Sequence, residues 1–418
     1  MRTRLIAAIA ALLFPPIATH ASDKQNVMIV SWGDVIMSGA PGAARLDTPE
    51  KVRESVRSWK SQGIDQVLFR GDNFRVLLFH ETAPANEEHR KGLEKTRAAW
   101  ESDLMETAVN AMREAGIRPY VWLTVLDEGC PPDILYADSV PFAWQSRFTR
   151  QNPQFLACDR SLTPNGRKYH WGVMEYAYPE VRQYMLEVIR AFSDRFDLDG
   201  VFLSLRTHSP PPGHADQFGF NEPVVREYKR RYGRDILREP FDLEKWRNLR
   251  GEFFTTFLRE VRDHLKSRGQ KLAVGVQQGE YLGPPFGNMR IQWRRWVADK
   301  VVDQLVVGHI TGARARYPLR TQRTMGYLQS QEDNLGLPPI EEALSKDYGP
   351  LCARHGVDLL VFPRHFYLSF LHPTYGRGRQ NPELRARLLE RLEAIPEVTG
   401  IVIGYGRFLR SHAAVPAE

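Results

Sequence analysis

Three acidic residues, Asp127, Glu128 and Glu280, have positions suited to acid–base chemistry on a glycosidic bond. Glu128 and Glu280 each follow a short apolar run that predicts a strand, and Asp127 directly precedes Glu128. Hydrolysis of such a bond uses two carboxyl groups, about 5 Å apart for a nucleophile and roughly 6.5–9.5 Å apart for a base that activates water. We therefore predict Glu128 and Glu280 as the catalytic pair, with Asp34, Asp72 and Asp127 in reserve. The alternative for each is a surface carboxylate or one paired with arginine.

A second group of residues could bind the substrate. Arg70, Arg206 and Arg364 lie at the ends of three predicted strands, and a guanidinium group binds carboxylate or sulfate through two parallel hydrogen bonds. They predict an anion-binding surface, unless each pairs with a neighbouring carboxylate, as Arg70 could with Asp72. Aromatic residues nearby could stack on sugar rings. The predicted substrate-binding residues are Arg70, Asp72, Trp122, Arg206, His208, Gln278, His309, Arg364, His365 and Tyr405.

Metal ions and organic cofactors have no support in the sequence. The three cysteines lack the spacing of a zinc ribbon, and no His-Glu-x-x-His motif is present. No glycine-rich phosphate loop follows the first predicted strand, which disfavours a nucleotide. Cys130 and Cys158 could form a disulfide, or Cys130, Cys158 and Cys352 could be separate buried cysteines. An odd number leaves at least one thiol without a partner in the chain.

Eight predicted strands, each separated from the next by helix, position these residues. They cover residues 26–33, 65–71, 118–126, 199–207, 271–278, 302–309, 357–364 and 399–405. This alternation predicts a (β/α)8 barrel, and the alternative is a doubly wound open sheet. The chain is longer than a minimal barrel because long loops follow the second, third and fourth strands. Barrel active sites form at the C-terminal ends of strands, where these loops begin.

Alternation along the fourth predicted strand indicates which side chains enter the barrel. Successive side chains of a strand point to opposite faces. Phe202, Ser204 and Arg206 share one face, and Val201 and Leu203 share the other. We expect the first set to point into the barrel and the aliphatic set to face the surrounding helices.

Asn221-Glu222-Pro223 follows that strand at some distance. Many barrel glycosidases carry their acid/base residue in an Asn-Glu-Pro motif directly at the end of the fourth strand. Here the tripeptide opens a predicted helix, in which Asn221 would be the N-cap and Glu222 and Pro223 would occupy the first turn. We favour this helix-capping role over catalysis.

The composition excludes several classes of protein. The chain has 418 residues, of which 42 % are hydrophobic, and a formal net charge of +7. This is too apolar for a disordered chain, and three cysteines cannot form a disulfide scaffold. The positive charge is not gathered into a block, so nucleic acid is not an expected partner.

The N-terminal residues predict a secretory signal peptide over residues 1–21. Two arginines precede an apolar run at residues 5–14, and Ala21 offers a cleavage site. That run is too short to span a bilayer. We expect an exported, periplasmic or extracellular protein with no membrane segment after removal of the signal, in which residues 22–418 form one barrel domain.

The segments DQVLFRGDNF, RPYVWLTVL and DGVFLSLRTHSPPP, with the helix that precedes the last, resemble the glycosyl-hydrolase-like family 10 proteins. The resemblance covers roughly residues 26–310. It implies an exported (β/α)8 protein that hydrolyses glycosides. The family commonly carries two aspartates and a tyrosine near the end of the fourth strand, where this chain has Ser204, Leu205 and Arg206. Those acids therefore have no counterpart here.

These observations favour a glycoside hydrolase that acts on a poly- or oligosaccharide, including one with anionic groups. The first alternative is a polysaccharide lyase, in which arginines neutralise a uronate and Tyr367, His208 or His365 abstracts a proton. The second is a barrel that binds glycans without catalysis. Formation of ultraviolet-absorbing unsaturated products would separate a lyase from a hydrolase.

Overall fold

The structure is a computed structural model, and it describes residues 24–31, 35, 46–84, 86–130, 143–164, 173–205, 216–281, 289–308, 338–363 and 382–404. In chain order the strands are β1 (Gln25–Val30), β2 (Gln66–Arg70), β3 (His80–Ala83), β4 (Arg118–Thr124), β5 (Gly129–Cys130), β6 (Ala143–Ser146), β7 (Gly200–Ser204), β8 (Lys271–Val276), β9 (Gln304–Val307), β10 (Asp358–Val361) and β11 (Gly400–Gly404).

Eight of these strands close into one barrel. Around the barrel the order is β1, β2, β4, β7, β8, β9, β10 and β11, and β11 pairs with β1. Every neighbouring pair is parallel. The fold is therefore a closed (β/α)8 barrel, as the sequence predicted, and the open sheet is excluded. Each of the eight predicted strands corresponds to one barrel strand.

Helices connect the strands. They are α1 (Pro49–Ser61), α2 (Asp72–Phe79), α3 (Glu87–Glu101), α4 (Leu104–Glu114), α5 (Arg147–Gln151), α6 (Pro179–Ser193), α7 (Glu222–Tyr232), α8 (Leu243–Ser267), α9 (Trp293–Ala298), α10 (Ile340–Ala343), α11 (Gly349–His355) and α12 (Pro382–Glu393). A π-helical turn, Leu344–Tyr348, joins α10 to α11. Thr48 caps α1, since its hydroxyl accepts a hydrogen bond from the Lys51 amide at 3.4 Å. The chain breaks between α3 and α4 at Asp103, whose φ is +53°.

The barrel has an interior core and an outer core. Tyr120, Trp122 and Phe202 are among the side chains that fill the interior. Val201 and Leu203 pack outward against the helices, as alternation along the strand predicted. Gly200 leaves room for this filling, because a Cβ there would lie 2.4 Å from the Tyr120 ring.

A second, three-stranded sheet lies outside the barrel and was not predicted. β6 pairs antiparallel with both β3 and β5. Since β3 belongs to the segment after β2, and β5 and β6 follow β4, the sheet ties together two of the long loops. Glu128 immediately precedes β5, and its carbonyl accepts the Ser146 amide at 2.7 Å.

Asn221 stands just before α7, as predicted, but its side chain does not cap the helix. Its Oδ1 accepts the Cys158 amide at 3.0 Å and its Nδ2 donates to the Leu156 carbonyl at 2.8 Å. The side chain thus joins two loop segments. Glu222 is exposed and pairs with Arg226 at 2.6 Å, one turn along the helix.

Cys158 and Cys352 are buried free thiols. This observation favours separate buried cysteines over a bridge between Cys130 and Cys158. Burial raises the pKa of both thiols to about 12, so neither is a reactive thiolate at neutral pH. Across the described residues, no helix combines the length and apolar character needed to cross a bilayer.

Candidate active site

A cluster of buried charged residues lies at the C-terminal ends of β2 and β4. We call it the β2–β4 cluster, and it consists of Arg70, Asp72, Arg75, His80, Thr124, Asp127 and Glu128, each less than 6 % exposed. Buried charges are costly unless they are paired and hydrogen-bonded. The contacts within the cluster satisfy that requirement for most of its members.

Asp72 connects the two strands. Its carboxylate accepts hydrogen bonds from both the amide and the hydroxyl of Thr124, the latter at 2.9 Å. It also pairs with Arg70 at 3.1 Å and Arg75 at 3.4 Å. The Arg70 guanidinium lies 4.8 Å from the centre of the Trp122 ring. Arg70 therefore has the carboxylate partner that the sequence left open as the alternative to an anion site.

Arg75 and Glu128 form the deepest ion pair of the cluster. Arg75 donates to the Thr124 carbonyl at 2.5 Å and pairs directly with the Glu128 carboxylate. The Tyr184 hydroxyl donates to the other oxygen of Glu128 at 2.9 Å. Glu128 has no exposed surface. Its carboxylate therefore acts as a counter-ion that fixes the turn after β4.

His80 directly follows α2 and begins β3. Burial, and then the positive charge of Arg75, hold the pKa of His80 well below its usual range. The imidazole is therefore neutral at neutral pH. It borders a cavity of about 10 Å³, whose lining also includes Arg70, Asp72, Arg75, Val76, Thr124, Asp127 and Trp144.

A second ionic cluster lies beyond the end of β8. We call it the β8–α9 cluster, and it consists of Glu280, Arg290, Arg294 and Arg295. Glu280 pairs with Arg290 and, at 3.3 Å, with Arg294. The four residues border a cavity of about 220 Å³ together with Asn248, Ile291, Gln292 and Trp293.

Two other parts of the chain, the π-helical turn and the segment at Pro338, hold the loop that carries Glu280. The Tyr348 hydroxyl, from the π-helical turn, accepts the Gly279 amide at 2.9 Å. The Tyr348 ring stacks on Trp293 with 4.0 Å between centroids. The Gln278 side chain donates to the Pro338 carbonyl at 2.6 Å. Gly279 has a φ of +101°, which favours glycine at this turn.

The predicted catalytic residues thus fall in two places. Asp127 and Glu128 belong to the β2–β4 cluster, and Glu280 belongs to the β8–α9 cluster; the two cavities share no lining residue. Of the predicted binding residues, Arg70, Asp72 and Trp122 lie together, and Gln278 lies near Glu280. The remaining ones fall outside the described residues: Arg206, His208, His309, Arg364, His365 and Tyr405.

Sequence reasoning missed Arg75, His80, Arg290 and Arg294. Arg75 had a detectable signal, because it lies three residues after Asp72 and interrupts the apolar stretch between Phe74 and Phe79. Such a charge on a buried face implies a buried partner. Arg290 and Arg294 had no such signal, because they lie well beyond the predicted strand end.

Part of the chain is similar to a known protein family. Residues 144–324 match the glycosyl hydrolase-like 10 family. The matched range includes the segment DGVFLSLRTHSPPP and confirms the resemblance to this family. No curated protein matches the chain in sequence.

Three solved structures similar to the chain are glycosidases by their descriptions. The glycoside hydrolase domain of PgaB (BpsB) from Bordetella bronchiseptica has a TM-score of 0.49 and 13 % identity, over 94 % of this chain and 99 % of that one. Alpha-L-fucosidase isoenzyme 2 from Paenibacillus thiaminolyticus has a TM-score of 0.46 and 11 % identity, over 91 % and 45 %. The GH20 exo-beta-N-acetylglucosaminidase from Vibrio harveyi has a TM-score of 0.42 and 12 % identity, over 91 % and 50 %.

Proposed function

We propose that this protein is a glycoside hydrolase that acts on a poly- or oligosaccharide, including one with anionic groups. The observation that supports this most is Glu280, a half-buried carboxylate that borders a cavity of about 220 Å³ beyond the C-terminal end of a barrel strand. Active sites of (β/α)8 enzymes form at that end. The family match over residues 144–324 favours glycoside chemistry.

Glu280 is the proposed catalytic carboxylate on the open side of the site. Its side chain is 29 % exposed, and it borders space that a sugar residue could enter. Arg290 and Arg294 pair with its carboxylate. Glycosidases divide the roles of proton donor and of nucleophile or base between two such groups.

Asp127 and Glu128 remain the predicted second carboxyl group, and they lie in a different cluster from Glu280. Asp127 borders the smaller cavity, whereas Glu128 is enclosed by Arg75 and Tyr184. A group that transfers a proton to substrate must be reachable. We therefore propose proton transfer for Asp127 and a positioning role for Glu128.

The proposal of an anionic substrate has support from the β8–α9 cluster. Three guanidinium groups border its cavity, against the single carboxylate of Glu280. Arg294 and Arg295 have further partners outside the lining, Asp347 at 2.6 Å and Asp299 at 3.3 Å. Arg290 pairs with Glu280 alone among the described residues. A uronate or sulfate group could bind here through the arginines. Arg206 and Arg364 remain predicted contributors.

The test is hydrolysis of neutral, uronate-bearing and sulfated oligosaccharides, followed by chromatography of the products. We expect turnover, faster for anionic glycans, and a loss of about 10²–10⁴-fold in kcat for Glu280→Gln. Glu222→Gln is the matched control, because Glu222 is an exposed glutamate paired with arginine on α7, and its turnover should equal that of the wild type.

Other outcomes of this assay would contradict the proposal. Unsaturated products that absorb in the ultraviolet would identify a lyase. Binding without turnover on every glycan would identify a glycan-binding protein. Equal rates on neutral and anionic glycans would remove the anionic part of the proposal and leave the hydrolase.

The proposal includes export of the protein, supported by the signal-peptide pattern of residues 1–21. N-terminal sequencing of the protein from a fractionated bacterial host tests it. We expect the mature chain to begin at residue 22 outside the cytoplasm. An intact N-terminus in the cytoplasmic fraction would contradict export.

A further inference from the structure

His80 is a buried histidine whose two ring nitrogens make no hydrogen bond of good geometry with a described residue, although the Arg75 backbone lies close enough to favour the protonated ring. The residue is 5 % exposed, and neither Nδ1 nor Nε2 has a hydrogen-bond partner. Glu128 Oε2 lies 3.6 Å from Nε2, which is too far for a hydrogen bond. A buried polar group of this kind calls for a partner, because polar groups that are buried in native proteins are almost always hydrogen-bonded.

The ring borders the cavity of about 10 Å³ in the β2–β4 cluster. A polar cavity of roughly 10–15 Å³ holds one water molecule when two to four polar groups surround it. Asp127, Thr124 and Arg70 supply such groups on the other walls. Small-molecule sites occupy about 300–1,000 Å³, so this cavity is far too small for a sugar residue.

Burial is the main reason why the His80 ring is neutral, and the charges around it act in both directions. Arg75 from α2 and Arg147 from α5 disfavour a second proton, and Arg147 also donates to the His80 carbonyl at 3.1 Å. Asp127 and Glu128, from the turn after β4, act in the opposite direction. A neutral imidazole has one donor and one acceptor nitrogen. It can therefore accept a hydrogen bond from a water molecule or donate one to it.

We infer that one water molecule binds in this cavity between the His80 ring and the Asp127 carboxylate, and that His80 is a positioning residue for Asp127. The water donates one hydrogen to the carboxylate and the other to the imidazole acceptor nitrogen. A hydrogen bond donated to a carboxylate favours its ionised form and fixes its orientation. The effect on Asp127 rests on the proposed hydrolase function, whereas the water site does not.

The first experiment is a high-resolution crystal structure of the wild-type protein and of His80→Leu. We expect density for one water molecule within hydrogen-bonding distance of His80 and Asp127 in the wild type, and its loss in the variant. An empty cavity in the wild type, or a water that persists unchanged in His80→Leu, would overturn the inference.

The second experiment measures kcat, KM and the pH–rate profile of His80→Leu and His80→Gln. For His80→Leu we expect kcat to fall about tenfold with KM unchanged. The limb of the pH–rate profile that reports the ionisation of Asp127 should move to higher pH by about one unit. The reason is that the carboxylate loses a hydrogen-bond donor. His80→Gln keeps a polar group at the cavity and should recover most of the rate.

The matched control is His264→Leu. His264 is another largely buried histidine, on α8, and it bonds to Ser193 at 2.9 Å far along the chain from the cluster. His264→Leu should leave the pH–rate profile unchanged. A His80→Leu profile identical to the wild type would overturn the positioning role. If the wild type hydrolyses no glycan, the proposed function fails, and the crystallographic result still decides the water site.

Discussion

In the β2–β4 cluster the paired side chains of Arg75 and Glu128 are 1 % and 0 % exposed, whereas in the β8–α9 cluster those of Arg290 and Glu280 are 40 % and 29 % exposed. Both clusters follow the C-terminal ends of barrel strands, and both pair arginine with glutamate. The difference in burial separates their roles. A buried pair fixes the backbone around it, and a half-exposed pair remains open to exchange of partners with a ligand.

The surroundings explain the difference. Glu128 directly precedes β5 of the small sheet, its carbonyl bonds to Ser146 of β6, and its carboxylate is enclosed by Arg75 and Tyr184. Above β8 a single loop carries Glu280, and the cavity beside it remains about 220 Å³ in volume. The chemistry of a glutamate near a strand end therefore depends on which loop covers it.

Removal of the buried arginine should have the largest effect on stability. Arg75→Met leaves Glu128 buried without its charge partner, and breaking such a pair costs about 3–5 kcal/mol. Denaturant unfolding followed by circular dichroism measures the loss. Arg290→Met is the matched control, since it breaks an exposed pair that contributes about 0–1 kcal/mol. Equal losses for the two variants would contradict the comparison.

The architecture was predictable from the sequence because apolar strands alternate with amphipathic helices along the whole chain. Each barrel strand carries a short run of branched or aromatic residues, and Thr48 followed by Pro49 marks a helix start unambiguously. The small sheet was not predictable in the same way. β3 has the sequence HETA and β5 has two residues, so neither shows an alternation that identifies a strand. Its strands form because tertiary pairing orders them.

The candidate site was predictable only in part. The rule that barrel active sites lie at the C-terminal ends of strands identified Asp72, Asp127 and Glu280, which do border cavities. It could not tell that Glu128 is enclosed, since burial above a strand end depends on how distant loops pack. It also missed Arg290, which reaches Glu280 through a bridge between Tyr281 and Arg290 after a loop. Contacts of this kind have no periodic signature in the sequence.

The pH dependence of stability should report the buried histidine of the β2–β4 cluster. The pKa of folded His80 is lowered by burial, and the unfolded pKa is about 6.5. Above that pH both states are neutral and His80 has no effect. Below it the unfolded chain binds a proton that the folded chain excludes, so stability falls by about 1.4 kcal/mol per pH unit until the folded pKa is reached.

Unfolding of the wild type and His80→Gln between pH 7 and pH 5 measures this contribution. The wild type should lose stability more steeply than the variant as the pH falls. His264→Gln is the control, because Asp194, 3.3 Å away, opposes the lowering of the His264 pKa by burial. The slope of unfolding free energy against pH should differ less between His264→Gln and the wild type than between His80→Gln and the wild type. A wild-type slope equal to that of His80→Gln would show that His80 is protonated in the folded protein.

The smallest effect expected is that of salt on the exposed cluster. Exposed ion pairs are screened as the Debye length falls from about 10 Å at 0.1 M to about 3 Å at 1 M, and buried pairs are screened much less. Arg294, which is 47 % exposed, should therefore contribute to stability by less than about 1 kcal/mol, and high salt should remove that contribution. The difference in unfolding free energy between wild type and Arg294→Gln, measured at both salt concentrations, tests this.

The difference in unfolding free energy between wild type and Arg75→Met should persist at 1 M salt. If salt reduces both differences alike, Arg75 and Glu128 are more accessible to solvent than their burial implies, and the distinction between a fixed and an open cluster is wrong.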